Sequence, residues 1–267
     1  MPPASQTRTI ALVTGASGGI GADLARIFAR EGHDLALVAR SRDKLEALAD
    51  EIAATGRPRP LVIALDLAAA DGPAAVAAAL AQANATAKFL VNNAGFGLSG
   101  PAMALDREEQ LGMVDLNIRA LVELTLRLAP QLVVGKGRIL NVASVAAFLP
   151  GPGFAVYFAS KAFVLSFSQA LSQELKPAGV GVTALCPGAT ATGFQARAGF
   201  TTAMAPDAAT MTSMKVAEAG FAGMMAGRRV VVPGQLNKFA AGCASFAPRA
   251  WLLPVMARFL MKRQFPT

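Results

Sequence analysis

Cysteine is scarce in this chain of 267 residues, which carries only Cys186 and Cys243. The two stand far apart and neither belongs to a CxxC pair, so the sequence predicts neither a disulfide framework nor a zinc site. We therefore expect no bound metal. A chain without paired cysteines is typical of a reducing compartment, and we expect a cytoplasmic protein.

Histidine and tyrosine each occur once, as His33 and Tyr157. His33 follows the first predicted helix and lies far along the chain from Ser144, which ends a predicted strand. A hydrolase of the Ser-His-Asp type is therefore poorly supported, because the chain has no other imidazole to act as its base.

Long apolar runs and dense charge are also missing. Gly, Pro or a charged residue interrupts each apolar run before the about 20 residues that a bilayer-spanning helix needs, and Met1 to Thr9 lack the apolar stretch of a secretory signal. The net charge is +8, but the basic residues are dispersed and not interleaved with aromatics, so we expect no nucleic-acid partner. Attraction of an anionic cofactor or substrate and a generally basic composition are both open as reasons for this charge.

What the sequence does have is a regular alternation of short β-like runs and longer helical ones, in a chain that is 54% hydrophobic. Strands are predicted at 10–13, 35–38, 61–64, 89–91, 137–142, 180–185 and 229–232. Helices are predicted at 20–31, 43–54, 73–83, 106–132, 155–175 and 215–225. Helices of these lengths supply the right-handed crossovers that parallel strands need. We predict one α/β domain over 1–267, a doubly wound parallel sheet with helices on both faces.

A glycine-rich turn, TGASGGIG at 14–21, joins the first strand to the first helix. Glycines let the backbone approach a pyrophosphate, and the helix N-terminus adds amides and a positive dipole. This placement favours nucleotide binding in a Rossmann-type sheet over a purely structural turn.

The end of the second strand points to NADP rather than NAD. A carboxylate there usually binds the adenosine ribose hydroxyls, but the chain has Ala39, followed by Arg40 and Arg42. A guanidinium suits a 2′-phosphate. The alternative is that both arginines are solvated residues at the start of a helix.

Tyr157 and Lys161 lie four apart on a predicted helix, and therefore on one face of it. A free phenol has a pKa of about 10, and a neighbouring ammonium is expected to lower it toward neutrality. Ser144 at the end of the preceding strand argues against an ordinary amphipathic helix.

Together these motifs resemble those of the short-chain dehydrogenase/reductase family, and the resemblance runs from Thr9 to Pro233 in the expected order. It implies four catalytic residues: Asn117, Ser144, Tyr157 and Lys161. It implies cofactor contacts from Gly15, Ser17, Gly18, Gly19, Ile20, Gly21, Arg40, Asp66, Leu67, Asn93, Ala94, Gly95, Tyr157, Lys161, Pro187, Gly188, Thr190 and Thr192.

The resemblance also implies roles for these residues. Tyr157 would exchange the proton on the substrate oxygen, Ser144 would hydrogen-bond that oxygen, and Lys161 would tune Tyr157 and hold the nicotinamide ribose. Asn117 would position a water behind Lys161, unless it only hydrogen-bonds within its helix. Asp66 could equally cap a helix, and Asn93 could serve the sheet as well as the cofactor.

The implied activity is NADP(H)-dependent reduction of a ketone or aldehyde to an alcohol, or the reverse, in a homodimer or homotetramer like those of relatives. Two alternatives stay open: a catalytically silent NADP-binding sensor or scaffold, and a membrane-associated reductase of 3-ketoacyl or other lipid ketones.

Two segments bear on the substrate. A lid is expected at about 193–214, and Phe148, Pro150, Phe154 and Met204 either wall an apolar substrate pocket or simply pack the lid. The extension at about 234–267 combines apolar and basic residues. It could cover the pocket, pack on a second subunit or lie on an anionic membrane surface, and packing or subunit contact is favoured.

Overall fold

The structure is a computed structural model that describes residues 7–192 and 210–264. Seven parallel strands form its main sheet in the order β3-β2-β1-β4-β5-β6-β9. Their bounds are β1 Arg8–Thr14, β2 Asp34–Ala39, β3 Leu61–Ala64, β4 Ala85–Asn92, β5 Arg138–Val142, β6 Gly181–Leu185 and β9 Val230–Val231. Two further short strands, β7 Thr190–Ala191 and β8 Met211–Thr212, pair separately. The prediction of a doubly wound, Rossmann-type α/β domain is confirmed.

Helices cover both faces of this sheet. They are α1 Gly19–Arg30, α2 Arg42–Ala54, α3 Gly72–Gln82, α4 Arg107–Val114, α5 Leu121–Val134, α6 Ala155–Glu174, α7 Ser213–Met225, α8 Gln235–Phe246 and α9 Arg249–Gln264. Alternate residues of β1 enter opposite halves of the core: Ala11 and Val13 pack with Phe28 of α1, whereas Ile10 and Leu12 pack with Leu124 of α5. This period of two on a strand buried on both faces produces the three-layer arrangement.

The predicted helix at 106–132 is not continuous. A π-helical turn, Asp115–Ala120, separates α4 from α5. Such a turn accommodates one extra residue and is common at functional sites. The apolar periodicity continues across it, and so the sequence pattern could not reveal the interruption.

A buried polar chain ties the middle of the sheet to the helices above it. Asn92 of β4 donates from Nδ2 to Thr125 Oγ1 at 3.0 Å and to Asn141 Oδ1 at 2.9 Å. Asn141 in turn donates to Ser168 Oγ of α6 at 2.9 Å. Buried amides need such partners, and the chain fixes α5 and α6 against the carboxyl ends of β4 and β5.

The predicted lid lies mostly outside the described residues, since 193–209, including Met204, are not among them. Residues 210–214 lead into β8 and the start of α7. Strand β7 precedes the predicted lid and β8 lies within its described end, and the two strands pair in parallel. Within 7–192 and 210–264, no helix is both long and apolar enough to cross a membrane.

Candidate active site

The glycine-rich turn has the backbone geometry that its sequence predicts. Gly15 and Gly19 have φ values of +66° and +55°, a region that side chains other than glycine rarely adopt. A Cβ on Gly15 would lie 2.7 Å from Asn93 Nδ2, whereas one on Gly18 would meet nothing within 4 Å. The turn is therefore packed tightly on its inner side and open on its outer side, where α1 begins.

Asn93 holds this turn in place. Its Nδ2 donates to the carbonyls of Thr14 and Gly15 at 2.9 and 3.2 Å. Thr14 Oγ1 accepts from the backbone amides of Asn93 and Ala94, both at 3.0 Å. The side chain of Asn93 is therefore committed to bracing the turn that would approach a phosphate.

Arg40 follows β2 at the same edge of the sheet, and 56% of its side chain is exposed. Its Nη1 lies 4.0 Å from Asp66 Oδ2, beyond the usual hydrogen-bond range. Asp66 Oδ1 accepts from the amide of Ala68 at 3.0 Å in the turn before α3, whose N-cap is Asp71, so Asp66 does not cap that helix; Leu67 is buried. Arg42, by contrast, contacts Glu46 on its own helix at 3.3 Å.

Ser144 and Tyr157 meet where β5 ends. Ser144 Oγ accepts from the amide of Ala146 at 3.1 Å and lies 3.4 Å from the carbonyl of Pro187. It also shares a side-chain hydrogen bond with Tyr157, which is only 7% exposed. The hydroxyl groups of Ser144 and Tyr157 are therefore held together, and the phenol has little access to solvent.

Burial raises the pKa of Tyr157 to about 12, against the smaller lowering effect of the Ser144 hydrogen bond. Burial also lowers the pKa of Lys161 to about 8. The sequence-based prediction that Lys161 lowers the pKa of Tyr157 toward neutrality is therefore wrong in direction for this structure. Lys161 Nζ donates to the carbonyl of Val142 at 2.9 Å and lies 5.9 Å from the phenol ring centroid, so loss of water dominates.

Asn117 lies in the π-helical turn and is only 1% exposed. Its Oδ1 accepts from the amide of Phe96 at 3.1 Å, and its Nδ2 donates to the Phe96 carbonyl at 2.9 Å and to Ser160 Oγ at 3.0 Å. A Cβ on Gly95 would lie 2.8 Å from Asn117 Oδ1 and 3.5 Å from Lys161 Nζ. The structure thus brings Asn117, Lys161 and the Asn93–Gly95 segment together, and the water relay stays a prediction.

The loop after β6 connects the two ends of the site. The carbonyl of Pro187 accepts from the amide of Val145 at 2.9 Å, beside Ser144. Thr190, whose Oγ1 donates to the Gly188 carbonyl at 3.0 Å, starts β7. Thr192 then reaches the glycine turn, since a Cβ on Gly19 would lie 3.0 Å from its Cγ2.

Comparison with known proteins agrees with this geometry. The family model for short chain dehydrogenases matches residues 9–202. The chain belongs to the short-chain dehydrogenase/reductase family. The sulfoacetaldehyde reductase of Chromohalobacter salexigens is 42% identical over 68% of this chain and 72% of the relative. The serine 3-dehydrogenase of Agrobacterium fabrum is 38% identical over the same shares, 68% and 72%.

Solved structures give the same family. A short-chain dehydrogenase from Sphingobium yanoikuyae in complex with NADPH has a TM-score of 0.78 and 36% identity, and the match covers 91% of this chain and 97% of that one. A 3-ketoacyl-(acyl-carrier-protein) reductase from Brucella melitensis complexed with NADH has a TM-score of 0.74 and 32% identity, with coverage of 85% and 98%.

In this short-chain dehydrogenase/reductase, a buried apolar cluster, called here the wall, packs around the Tyr157 ring. The predicted wall residue Phe154 belongs to it, but Phe148 packs in a different cluster. The sequence analysis did not place the other members in the wall. The buried ones are Met113, Ala146, Phe158 and Leu260, and the partly buried ones at its edge are Phe96, Leu98, Leu149, Val156 and Met256. The spacing of Met256 and Leu260 was the available signal, because residues four apart share a helix face.

His33 lies elsewhere in this dehydrogenase/reductase. Its ring centroid is 5.7 Å from that of Phe28 and 4.7 Å from that of Phe89, and burial lowers its pKa. His33 precedes β2 whereas Ser144 follows β5, so the two lie at opposite edges of a parallel sheet. Among the residues the structure describes, no group of three His, Cys, Asp or Glu side chains could hold a metal ion.

Proposed function

We propose that this enzyme reduces a ketone or aldehyde to an alcohol with NADPH, with Tyr157 as the proton donor, and that it can catalyse the reverse reaction. The observation that carries the proposal is the hydrogen-bonded hydroxyl pair of half-buried Ser144 and buried Tyr157, at the same sheet edge as the glycine turn. The sulfoacetaldehyde reductase and the NADPH complex among its relatives support the same reaction class.

The residues at the sheet edge fit a nicotinamide dinucleotide. The outer side of the Gly15–Gly21 turn is open to phosphates, and the amides at the start of α1 point toward it. Pro187, Gly188, Thr190 and Thr192 would contact the nicotinamide end, because their loop links the turn to Ser144. When bound, NADPH supplies the hydride.

A preference for NADP over NAD is supported by Arg40. Ala39 carries no carboxylate to repel a 2′-phosphate, and Arg40 presents an exposed guanidinium just beyond it. Asp66 opposes this preference, because its carboxylate lies 4.0 Å from the guanidinium and would also face an added phosphate.

The pKa of Tyr157 suits the reductive direction. With a pKa of about 12, the phenol keeps its proton at neutral pH and can donate it to the substrate oxygen. Ser144 would hydrogen-bond the same oxygen, which fixes its position against Tyr157. Lys161, which has a pKa of about 8 and an Nζ that lies 5.9 Å from the ring centroid, would help to return a proton and would hold the cofactor ribose.

We propose a fairly apolar substrate, because a carbon skeleton bound beside Tyr157 would lie against the apolar cluster that surrounds its ring, in which Met113, Phe154 and Leu260 are almost fully buried. We also propose that Asp66 and Leu67 contact the cofactor and that Asn117 positions a water behind Lys161.

A homodimer or homotetramer is also part of the proposal. A cleft of about 470 Å³ on the outer side of α5 and α6 is lined by Ile118, Arg119, Val122, Glu123, Leu126, Arg127 and Phe163. Leu126 is 60% exposed and Phe163 is 40% exposed. Exposed apolar side chains of this kind favour contact with a second copy.

The test is NADPH oxidation with a panel of aliphatic, aromatic and bulky ketones and aldehydes. We expect turnover with at least one apolar carbonyl, and a loss of about 100-fold or more in Ser144→Ala. Ser172→Ala is the matched control, because it removes a serine hydroxyl that lies on α6 and donates only to the nearby Gln169 carbonyl at 2.7 Å. Tight NADPH binding without turnover on any carbonyl would favour the sensor or scaffold instead.

A further inference from the structure

The C-terminal helices α8 and α9 each have an inner and an outer face. On α8, Ala241 and Ala244 are buried against the protein, and on α9 Met256 and Leu260 join the apolar wall beside Tyr157. The inner faces therefore account for the packing that the sequence favours for this extension.

The outer faces carry large apolar side chains in regular stripes. On α8 the stripe is Leu236, Phe239 and Phe246, which are 65%, 73% and 91% exposed. On α9 it is Trp251, Val255 and Phe259, spaced four apart and 74%, 63% and 43% exposed. Residues spaced three, four or seven apart lie on one side of a helix, so each helix shows a continuous apolar strip to the outside.

The charge of the same segment has a single sign. Lys238, Arg249 and Arg258 are exposed on the two helices, and Arg249 also donates to the Phe148 carbonyl at 3.4 Å. No Asp or Glu follows Glu218 in the sequence. The outer apolar strips are therefore accompanied by positive charge alone.

We propose that the exposed apolar stripes of α8 and α9, together called here the outer strip (Leu236, Phe239, Phe246, Trp251, Val255 and Phe259), dock on the surface of an anionic lipid bilayer. Helices with exposed Trp, Phe and Leu beside Lys and Arg, and without acidic residues, lie in the interfacial plane of such membranes. Each cation near the surface adds attraction to anionic headgroups.

A second copy of the chain is a poorer occupant on grounds of charge. In a two-fold symmetric contact the outer strip would face itself, and its cations would face the same cations without any carboxylate from this segment. An anionic bilayer offers the complementary charge together with an apolar interior for Trp251 and Phe246.

Trp251 makes the test direct, because it is the only tryptophan of the chain. The full-length protein is mixed with phosphatidylcholine vesicles, or with vesicles that also contain phosphatidylglycerol, and tryptophan emission and co-sedimentation are recorded. We expect a blue shift and co-sedimentation with the anionic vesicles, little of either with phosphatidylcholine alone, and weaker binding at high salt.

The double variant Phe239→Ser/Phe246→Ser should lower the vesicle partition coefficient at least about tenfold. The reason is that it removes two aromatic side chains that would otherwise transfer from water into the bilayer. Met103→Ser/Val134→Ser is the matched control, since these residues are 99% and 88% exposed outside the strip. Far-UV circular dichroism checks that each variant is folded.

Trp251 emission that does not change with anionic vesicles at low salt would overturn the proposal. It would also fail if the emission is already blue-shifted without lipid and light scattering shows an oligomer that Phe239→Ser/Phe246→Ser dissociates. The outer strip would then belong to a contact between copies. Neither result depends on the oxidoreductase activity, so the proposed function is tested separately.

Discussion

Replacing Arg40 with serine should change the cofactor preference and little else. The guanidinium is 56% exposed and lies 4.0 Å from Asp66, so water and this carboxylate both weaken its hold on a phosphate. A hydrogen bond to a charged group is worth about 1.5–3 kcal/mol, whereas exposed ion pairs give less than about 1 kcal/mol. We therefore expect a loss of about 1–2 kcal/mol for NADPH, or about 5- to 30-fold in kcat/KM, and little change for NADH.

The assay is steady-state kinetics with NADPH and NADH at a fixed carbonyl concentration. Arg42→Ser is the matched control, because its guanidinium contacts Glu46 on α2 at 3.3 Å. Asp66→Asn should shift the preference the other way, toward NADPH, by removing a negative charge from the phosphate side. An unchanged NADPH-to-NADH ratio in Arg40→Ser would refute the argument for Arg40.

Three further predictions follow from burial and charge. Because the pKa of Tyr157 is raised to about 12, alcohol oxidation should speed up with rising pH while carbonyl reduction stays nearly flat around neutrality; equal pH profiles in both directions would contradict this. Asn92→Ala should destabilise the fold by about 2–3 kcal/mol in urea unfolding, because it leaves Asn141 Oδ1 buried without that donor; a change below about 0.5 kcal/mol would count against the network. Burial lowers the pKa of His33, so the unfolded chain takes up a proton first as the pH falls below about 6.5, and the free energy of unfolding should fall there. That loss should be smaller in His33→Gln, and an equally steep fall would contradict the reasoning.

Much of the fold could be predicted because each element has a local signature. The β1 run is apolar and buried on both faces, and the glycine turn follows it directly. In a parallel sheet the carboxyl ends of the strands share one edge, and so Ser144 after β5 could be placed near the glycine turn after β1. The spacing of four residues between Tyr157 and Lys161 then predicts that both lie on one face of the same helix.

What the sequence could not supply depends on three-dimensional surroundings. The pKa of Tyr157 is set by burial, which a spacing of four residues does not reveal. Lys161 bonds to the carbonyl of Val142, a backbone group with no sequence signature. Leu260 reaches the wall beside Tyr157 from the far end of the chain; its spacing from Met256 indicates a shared helix face, but not what that face packs against.

The central claim, that the phenol of Tyr157 supplies the proton, is tested most directly in Tyr157→Phe. This change removes one oxygen and keeps the ring that packs against Phe154 and Phe158. The measurement is NADPH-dependent turnover on the best carbonyl of the panel, together with NADPH affinity from fluorescence titration. We predict that turnover falls by at least about 100-fold while NADPH affinity changes by less than about threefold. Near-normal turnover in the folded variant would contradict the account.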